Sequence, residues 1–97
     1  MAAKRSAAGA TAANATALLG ADGAWPPTFW GNGPGYTYGW HEHRYHKILF
    51  CLSGSIVFHT LDGDVELAAG DRLDLDPWTE HAATVGPQGC ACVEAAR

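Results

Sequence analysis

The sequence has few basic residues. Only six of its 97 residues are Lys or Arg, and its formal net charge is −4 at pH 7. Nucleic acids and anionic membranes are bound mainly through clusters of Lys and Arg, because both carry dense negative charge. The composition therefore predicts neither a nucleic-acid partner nor a membrane partner.

Long apolar runs and a cysteine framework are also missing. No run of about 18 apolar residues occurs, so the sequence predicts no transmembrane helix. Asn14 and several Thr and Gly residues interrupt the Ala-rich start, unlike the continuous apolar stretch of a signal peptide. The cysteines Cys51, Cys90 and Cys92 are an odd number without paired spacing, which does not predict a disulfide framework. We therefore expect a cytoplasmic protein.

The length predicts one domain with an N-terminal extension. A chain of 97 residues is expected to form a single domain around one core. Residues 1–23 are mostly Ala, with Ser, Thr, Asn and Gly, and they predict a flexible or loosely docked tail. Part of this tail is expected to be helical, because Ala is the best helix former. From Ala24 onward Trp, Pro and Gly become frequent, and residues 24–97 are expected to form the folded domain.

The segment 24–97 has the pattern of an all-β fold. No helical period is sustained after Gly20, and short apolar or alternating segments recur between turn signals such as the NGPG sequence at 32–35. Several short strands at this spacing predict a sandwich or a barrel. The predicted strands are residues 36–43, 46–52, 56–61, 65–69, 72–76, 81–85 and 90–95.

Three histidines form a candidate metal site. Side chains two residues apart on a strand point to one face, so His41 and His43 could chelate a single ion. His81 opens a later predicted strand and can lie beside them in an antiparallel barrel. Imidazole suits Zn, Fe, Ni, Cu and Mn. From this pattern alone, two exposed strand histidines with a third bonded to a backbone carbonyl are an equally good interpretation. His46 has the opposite parity and is expected to face away.

The spacing around these histidines resembles the first motif of the cupins, G-x5-H-x-H-x3,4-E-x6-G. Gly35, His41, His43 and Gly54 match the motif in identity and spacing, and Lys47 stands in place of the Glu. This motif is fairly specific, so the chain resembles a small single-domain cupin of the cupin 2 type.

The second cupin motif, G-x5-P-x-G-x2-H-x3-N, is matched less completely. Gly70 and His81 have its spacing, whereas Asp76, Trp78 and Val85 replace the Pro, Gly and Asn. The resemblance extends over residues 31–93, which is most of the chain.

The resemblance implies a cupin double-stranded β-helix, or jelly-roll barrel, in residues 24–97, preceded by the Ala-rich tail. Small cupins expose sheet edges, and natural proteins cover such edges. A homodimer is therefore expected, with residues 24–31 packing across its interface.

The resemblance also implies one divalent transition metal, Fe, Mn, Ni or Zn, held by His41, His43 and His81. Lys47 takes the place of the fourth ligand, and an ammonium group is repelled by a dication. Four interpretations of Lys47 stay open: it binds a substrate anion, it loses its proton, it serves another purpose in a site without a metal, or it forms a surface ion pair.

A metal-dependent enzyme of the oxygenase type, acting on a small and anionic molecule, is the function that the resemblance implies. Lys47 and Tyr45 are the residues expected to place that substrate. The alternative is a non-catalytic cupin that binds a metal or a small ligand, as a sensor or storage module does. Fold alone does not separate the two.

Overall fold

The computed structural model describes all 97 residues and contains seven β-strands and one short helix. The elements are β1 (Ala2–Arg5), α1 (Ala15–Ala21), β2 (Thr28–Asn32), β3 (Thr37–His41), β4 (Lys47–Thr60), β5 (Gly63–Ala68), β6 (Arg72–Leu75) and β7 (His81–Ala96). Every strand pair is antiparallel. No helix is long and apolar enough to cross a membrane. The predicted all-β fold is confirmed.

Two long strands, β4 and β7, run side by side and bend together. Their pairing shifts register between Cys51 and Ser53 and again between Gly54 and Ile56. Before the bend β4 pairs with β6, and beyond it β4 pairs with β5. Near its start β7 pairs with β3, and near its end it pairs with β2. The bent pair therefore joins the two halves of one curved, seven-stranded sheet that encloses the core.

Glycine allows the close approach of the two strands at this bend. Gly54 has a φ of 68° and Gly89 a φ of 76°, in the left-handed region that Gly adopts without a steric penalty. A Cβ at Gly54 would overlap the carbonyl oxygen of Gly89. The prediction that residues 53–55 and 86–89 separate short strands is wrong, because these glycine-containing segments bend β4 and β7 without ending them.

The two faces of the bent strands have different partners. Leu49, Cys51 and Cys92 point into the barrel and belong to its main core. Ile48 and Phe50 point outward, as the period of two requires, and they are as fully buried as the interior residues. Some other part of the chain must therefore cover the outer face of the sheet.

The N-terminal segment, which the sequence predicts as a flexible or loosely docked tail with a helical part, provides that cover, and its helical part is α1. β1 pairs with β6, and α1 packs its buried Leu19 against Ile48, Phe50 and Val93. Leu19 has no exposed surface. The segment is ordered because burial of these apolar side chains offsets the entropy cost of fixing the chain.

Candidate metal centre

His41, His43 and His81 lie together at one end of the barrel. His41 on β3 is directly opposite His81 on β7 in the strand register. One ligand atom from each of the three side chains lies within 4.8 Å of the others. The ring centroids are 4.2 Å apart for His41 and His81, 4.9 Å for His41 and His43, and 5.3 Å for His43 and His81. The sequence therefore predicted correctly which three histidines meet.

His43 reaches this cluster by a different route from the one predicted. β3 ends at His41, so His43 lies in the connection to β4 and not on the same strand. The backbone N–H of Trp78 donates to the carbonyl oxygen of His43 at 2.6 Å and fixes the connection. The predicted strand 36–43 is thus too long, although the predicted proximity of the two histidines holds.

Backbone carbonyl groups orient two of the imidazoles. The Nδ1 of His41 lies 2.7 Å from the carbonyl oxygen of Gly39, and the Nδ1 of His81 lies 2.8 Å from that of Thr79. A carbonyl oxygen only accepts, so each Nδ1 carries the proton and donates it. The Nε2 lone pairs remain available, which is the arrangement that metal-ligating histidines commonly have.

The surroundings keep two of the imidazoles neutral. Burial, with Lys47 as the next contributor, lowers the pKa of His43 to about 4. Burial also lowers the pKa of His81. A charged imidazolium has no lone pair for a metal, so these neutral rings are in the form that binds one. The donor set therefore fits a divalent transition metal.

Lys47 lies inside the barrel, so it is not a surface residue. It is the first residue of β4, only 8% of its surface is exposed, and its Nζ is 2.8 Å from Glu94 Oε2. The same Nζ donates to His43 Nε2 at 3.3 Å. The interpretation of Lys47 as a surface ion pair is therefore wrong about its location, although an ion pair is present.

Glu94 is the polar residue of this site that the sequence analysis missed. It lies on β7, and its Oε1 accepts a hydrogen bond from Trp30 Nε1 at 2.8 Å. The period of two along the last strand places it on the same face as Cys92, which is buried in the core. That alternation was the signal that could have identified Glu94 as an inward residue.

A cavity of about 200 Å³ lies beside the histidines. Its polar wall includes His41, His81, Lys47 and Glu94, and aromatic residues contribute much of the rest. These aromatic residues are Trp30, Tyr38 and Phe58. An apolar cavity with a few convergent polar groups is the usual form of a small-molecule site.

Tyr45 lies next to the histidine cluster but outside this cavity. Its ring centroid is 4.9 Å from that of His43. It lines a second cavity of about 290 Å³ that shares Thr28 and Glu94 with the first. A direct role for Tyr45 in placing a substrate stays a prediction.

The two remaining histidines belong to other interactions. His46 Nε2 is 3.0 Å from Asp74 Oδ1, on the side away from the cluster. The expected direction of His46 therefore holds, although His46 lies in the connection between β3 and β4, where strand parity does not apply. The Nδ1 of His59 is 2.7 Å from Asp64 Oδ1, and its Nε2 is 2.9 Å from Thr84 Oγ1. Neither residue contributes to the group of three.

The fold and the histidine cluster together define a cupin. The Cupin domain family matches residues 30–91, which is more than half of the chain, and the protein belongs to this family. Cupin domains generally bind metals or small molecules. A search of curated proteins finds no match to this chain.

Solved structures similar to the chain include several cupins. A chain from the crystal structures of the DMSP lyases RdDddP and RnDddQII is 29% identical, with a TM-score of 0.68 over 73% of this chain and 37% of that one. An uncharacterized conserved protein with a double-stranded β-helix domain, from Klebsiella pneumoniae, is 25% identical, with a TM-score of 0.65 over 72% and 60%. A cupin domain from Bordetella pertussis is 24% identical, with a TM-score of 0.59 over 73% and 79%. The chain thus spans less than two thirds of the first two.

Proposed function

We propose that this cupin is a metal-dependent enzyme of the oxygenase type that acts on a small, anionic molecule. The observation that carries the proposal is the group of three imidazoles within 4.8 Å of one another beside a cavity of about 200 Å³. His41, His43 and His81 would hold one divalent transition metal, Fe, Mn, Ni or Zn. Such a metal would supply Lewis-acid chemistry beside the cavity.

The residues of the chain would bind and orient the substrate. Trp30, Tyr38 and Phe58 offer apolar surface that excludes water from the cavity. Lys47 and Glu94 bring a cation and an anion to the same wall. The carbonyl groups that hold the two Nδ1 protons keep His41 and His81 pointing at the cavity.

Lyase chemistry is a second candidate, and one comparison favours it. The similar structure at 29% identity belongs to a set of crystal structures of DMSP lyases. Glu94 could accept a proton in such a reaction, since it lies on the cavity wall. A lyase needs no dioxygen, whereas an oxygenase does, so activity measured without oxygen distinguishes the two candidates.

Metal content is the first test of both candidates. The purified protein is expected to contain about one transition-metal ion per chain by elemental analysis. His81→Ala is expected to weaken metal binding by more than about tenfold, because loss of even an outer partner of a ligand costs about 10–100-fold. His59→Ala, which removes a histidine outside the cluster, should leave the content unchanged. Equal metal content in the two variants would exclude the three-histidine site.

Reaction tests then separate the classes. Oxygen uptake by the iron-loaded protein with a panel of small carboxylates would identify the oxygenase. Consumption of DMSP under argon, followed by proton NMR, would identify the lyase. A protein that binds metal and ligand but turns over neither would be the non-catalytic sensor or storage module.

A further inference from the structure

Trp30, Glu94 and Lys47 form a chain of polar contacts on the cavity wall. Trp30 Nε1 donates a hydrogen bond to Glu94 Oε1 at 2.8 Å, and Lys47 Nζ forms an ion pair with Glu94 Oε2 at 2.8 Å. Both oxygens of the carboxylate therefore have protein partners. This leaves Glu94 as an anchor for Lys47, and it leaves Lys47 as the member of the chain with donors to spare.

Lys47 has more N–H donors than protein acceptors. An ammonium group carries three N–H donors. The protein places two partners near them, Glu94 Oε2 in an ion pair and His43 Nε2 in a hydrogen bond. A lone pair of His43 that coordinates a metal can no longer accept a hydrogen bond. When the metal is bound, Lys47 is therefore left with Glu94 and with donors that need an acceptor from a ligand in the cavity.

The charges of the site lead to the same conclusion. The Lys47 ammonium and the Glu94 carboxylate cancel, and imidazoles that ligate a metal are neutral. A dication held by the histidines would keep its whole charge, whereas the Glu of the first cupin motif would reduce it. An anion is consequently attracted to the metal-loaded site and gains little in the metal-free one.

We propose that the ligand of this cavity is a small carboxylate whose oxygen accepts a hydrogen bond from Lys47, which Glu94 and Trp30 hold in position. This inference rests on the proposed metal-dependent function and names its substrate class. A carboxylate with a short apolar chain suits both the ammonium group and the aromatic wall. The cavity of about 200 Å³ has the liquid volume of about seven waters, which suits a small ligand.

Calorimetric titration of the wild-type protein with propionate is the first experiment. The zinc-loaded protein is expected to bind propionate at least about tenfold more tightly than the neutral propionamide, since only the carboxylate carries a charge that the zinc ion and the ammonium group attract. Removal of zinc with a chelator should abolish propionate binding. Inorganic phosphate, which has no apolar part, should bind more weakly than propionate. Equal affinities for propionate and propionamide, or tighter binding of phosphate, would overturn the proposal without any variant.

A double variant then tests Lys47 itself. Lys47→Gln combined with Glu94→Gln keeps the net charge of the site and leaves no unpaired buried charge. We expect propionate affinity to fall by about tenfold or more, as for the loss of a hydrogen bond to a charged group, with zinc content unchanged. Unchanged affinity would show that Lys47 is not the anion receptor.

A conservative double variant tests the positioning role of Glu94. Lys47→Arg with Glu94→Asp restores the ion pair with one side chain longer and the other shorter, and it should recover most of the propionate affinity. No recovery, with normal zinc content and thermal unfolding, would contradict the anchoring role. Failure of the wild-type protein to bind any of Fe, Mn, Ni and Zn would instead refute the proposed function, so the two failures are distinguishable.

Discussion

At the scale of single residues, Trp78 has a backbone conformation that explains the glycine of the second cupin motif. Its φ is 66°, in the left-handed region, and its side chain is 63% exposed. For a residue with a Cβ, the left-handed conformation costs about 1–2 kcal/mol of conformational energy. The conformation lets the N–H of Trp78 reach the carbonyl oxygen of His43, which links it to the candidate metal site.

Trp78→Gly is therefore expected to raise the free energy of unfolding by up to about 1 kcal/mol. Relief of about 1–2 kcal/mol of strain is partly offset by the backbone entropy of Gly, about 0.5–1 kcal/mol. Urea denaturation measures the change. Trp78→Ala removes the same exposed ring but keeps the strain, so it serves as the matched control. If the two variants unfold at the same urea concentration, the strain is not what limits stability.

Residues of the candidate site differ in how well the sequence predicts them. His41, His43 and His81 were found from motif spacing, since a family motif reports which residues meet in space. Glu94 lies beyond both motifs, and only its parity with Cys92 indicates that it faces inward. The ion pair of Lys47 could not be predicted, because its partner comes from a strand 47 positions later in the sequence.

At the scale of elements, α1 is stabilised mainly by its packing against the outer face of β4 and β7. It has seven residues, fewer than the roughly 12–15 that an isolated helix needs in water. Ala and Gly give the segment little apolar periodicity, so the sequence indicated a loosely docked tail. The helix is stabilised by packing on the outward faces of β4 and β7. These faces exist only once the barrel has formed, so the local sequence does not report them.

Leu19→Ala tests whether α1 is integral to the fold. Leu19 is fully buried against Ile48 and Phe50, so the variant is expected to lose about 2–5 kcal/mol of stability. Leu18→Ala, on the same helix but only partly buried, should lose less. Thermal and urea denaturation measure both. Equal, small losses would mean that the segment is docked only loosely, as the sequence predicted.

Asp71 ties the N-terminal segment to the turn between β5 and β6. Its carboxylate accepts hydrogen bonds from the N–H groups of Ala68 at 2.9 Å and Ala7 at 2.8 Å, and Lys4 Nζ lies 3.6 Å away. The Ala68 N–H is the largest cause that lowers the pKa of Asp71, and the bonds from Ala7 and Lys4 act in the same direction. A single side chain thus connects the N-terminal segment to the end of β5.

Asp71→Asn is expected to lower the free energy of unfolding at pH 7 by about 1–3 kcal/mol, the cost of hydrogen bonds lost by a buried group. Because the folded pKa is lowered, the carboxylate stabilises the fold above the pKa of an unfolded Asp, about 3.9. This stabilisation disappears as the pH falls through the folded value. The difference between variant and wild type should therefore shrink below about pH 4. Asp62→Asn, in an exposed turn, is the control and should change the free energy of unfolding at pH 7 by much less.

At the scale of the whole molecule, the cupin barrel was predictable from the sequence. The sequence did not predict that β4 and β7 each continue through the bend as one long strand. Alternation and motif spacing report which side chains face inward, and these were sufficient for the fold class. Whether Gly54 ends a strand or bends it depends on the partner strand, because Gly89 bends at the same place. The strands β4 and β7 therefore appear longer in the structure than any segment of the sequence indicates.

The homodimer expected from the sequence stays a prediction at this scale. β2 is hydrogen-bonded only to β7, so its other edge is free. Large aromatic side chains are exposed on and before it, with Phe29 at 53% and Trp25 at 59%. A free edge next to exposed apolar surface is what natural proteins commonly cover, and a second copy would pair the two edges.

Light scattering coupled to size-exclusion chromatography tests this arrangement. The wild-type protein is expected to elute with twice the chain mass of 10.2 kDa. Phe29→Glu would place a charge in the interface and should shift the protein to the monomer mass while leaving its circular dichroism unchanged. Leu61→Glu, at an exposed turn between β4 and β5, should remain dimeric. A monomeric wild-type protein, or a dimer that Phe29→Glu leaves intact, would show that residues 24–31 do not form the interface.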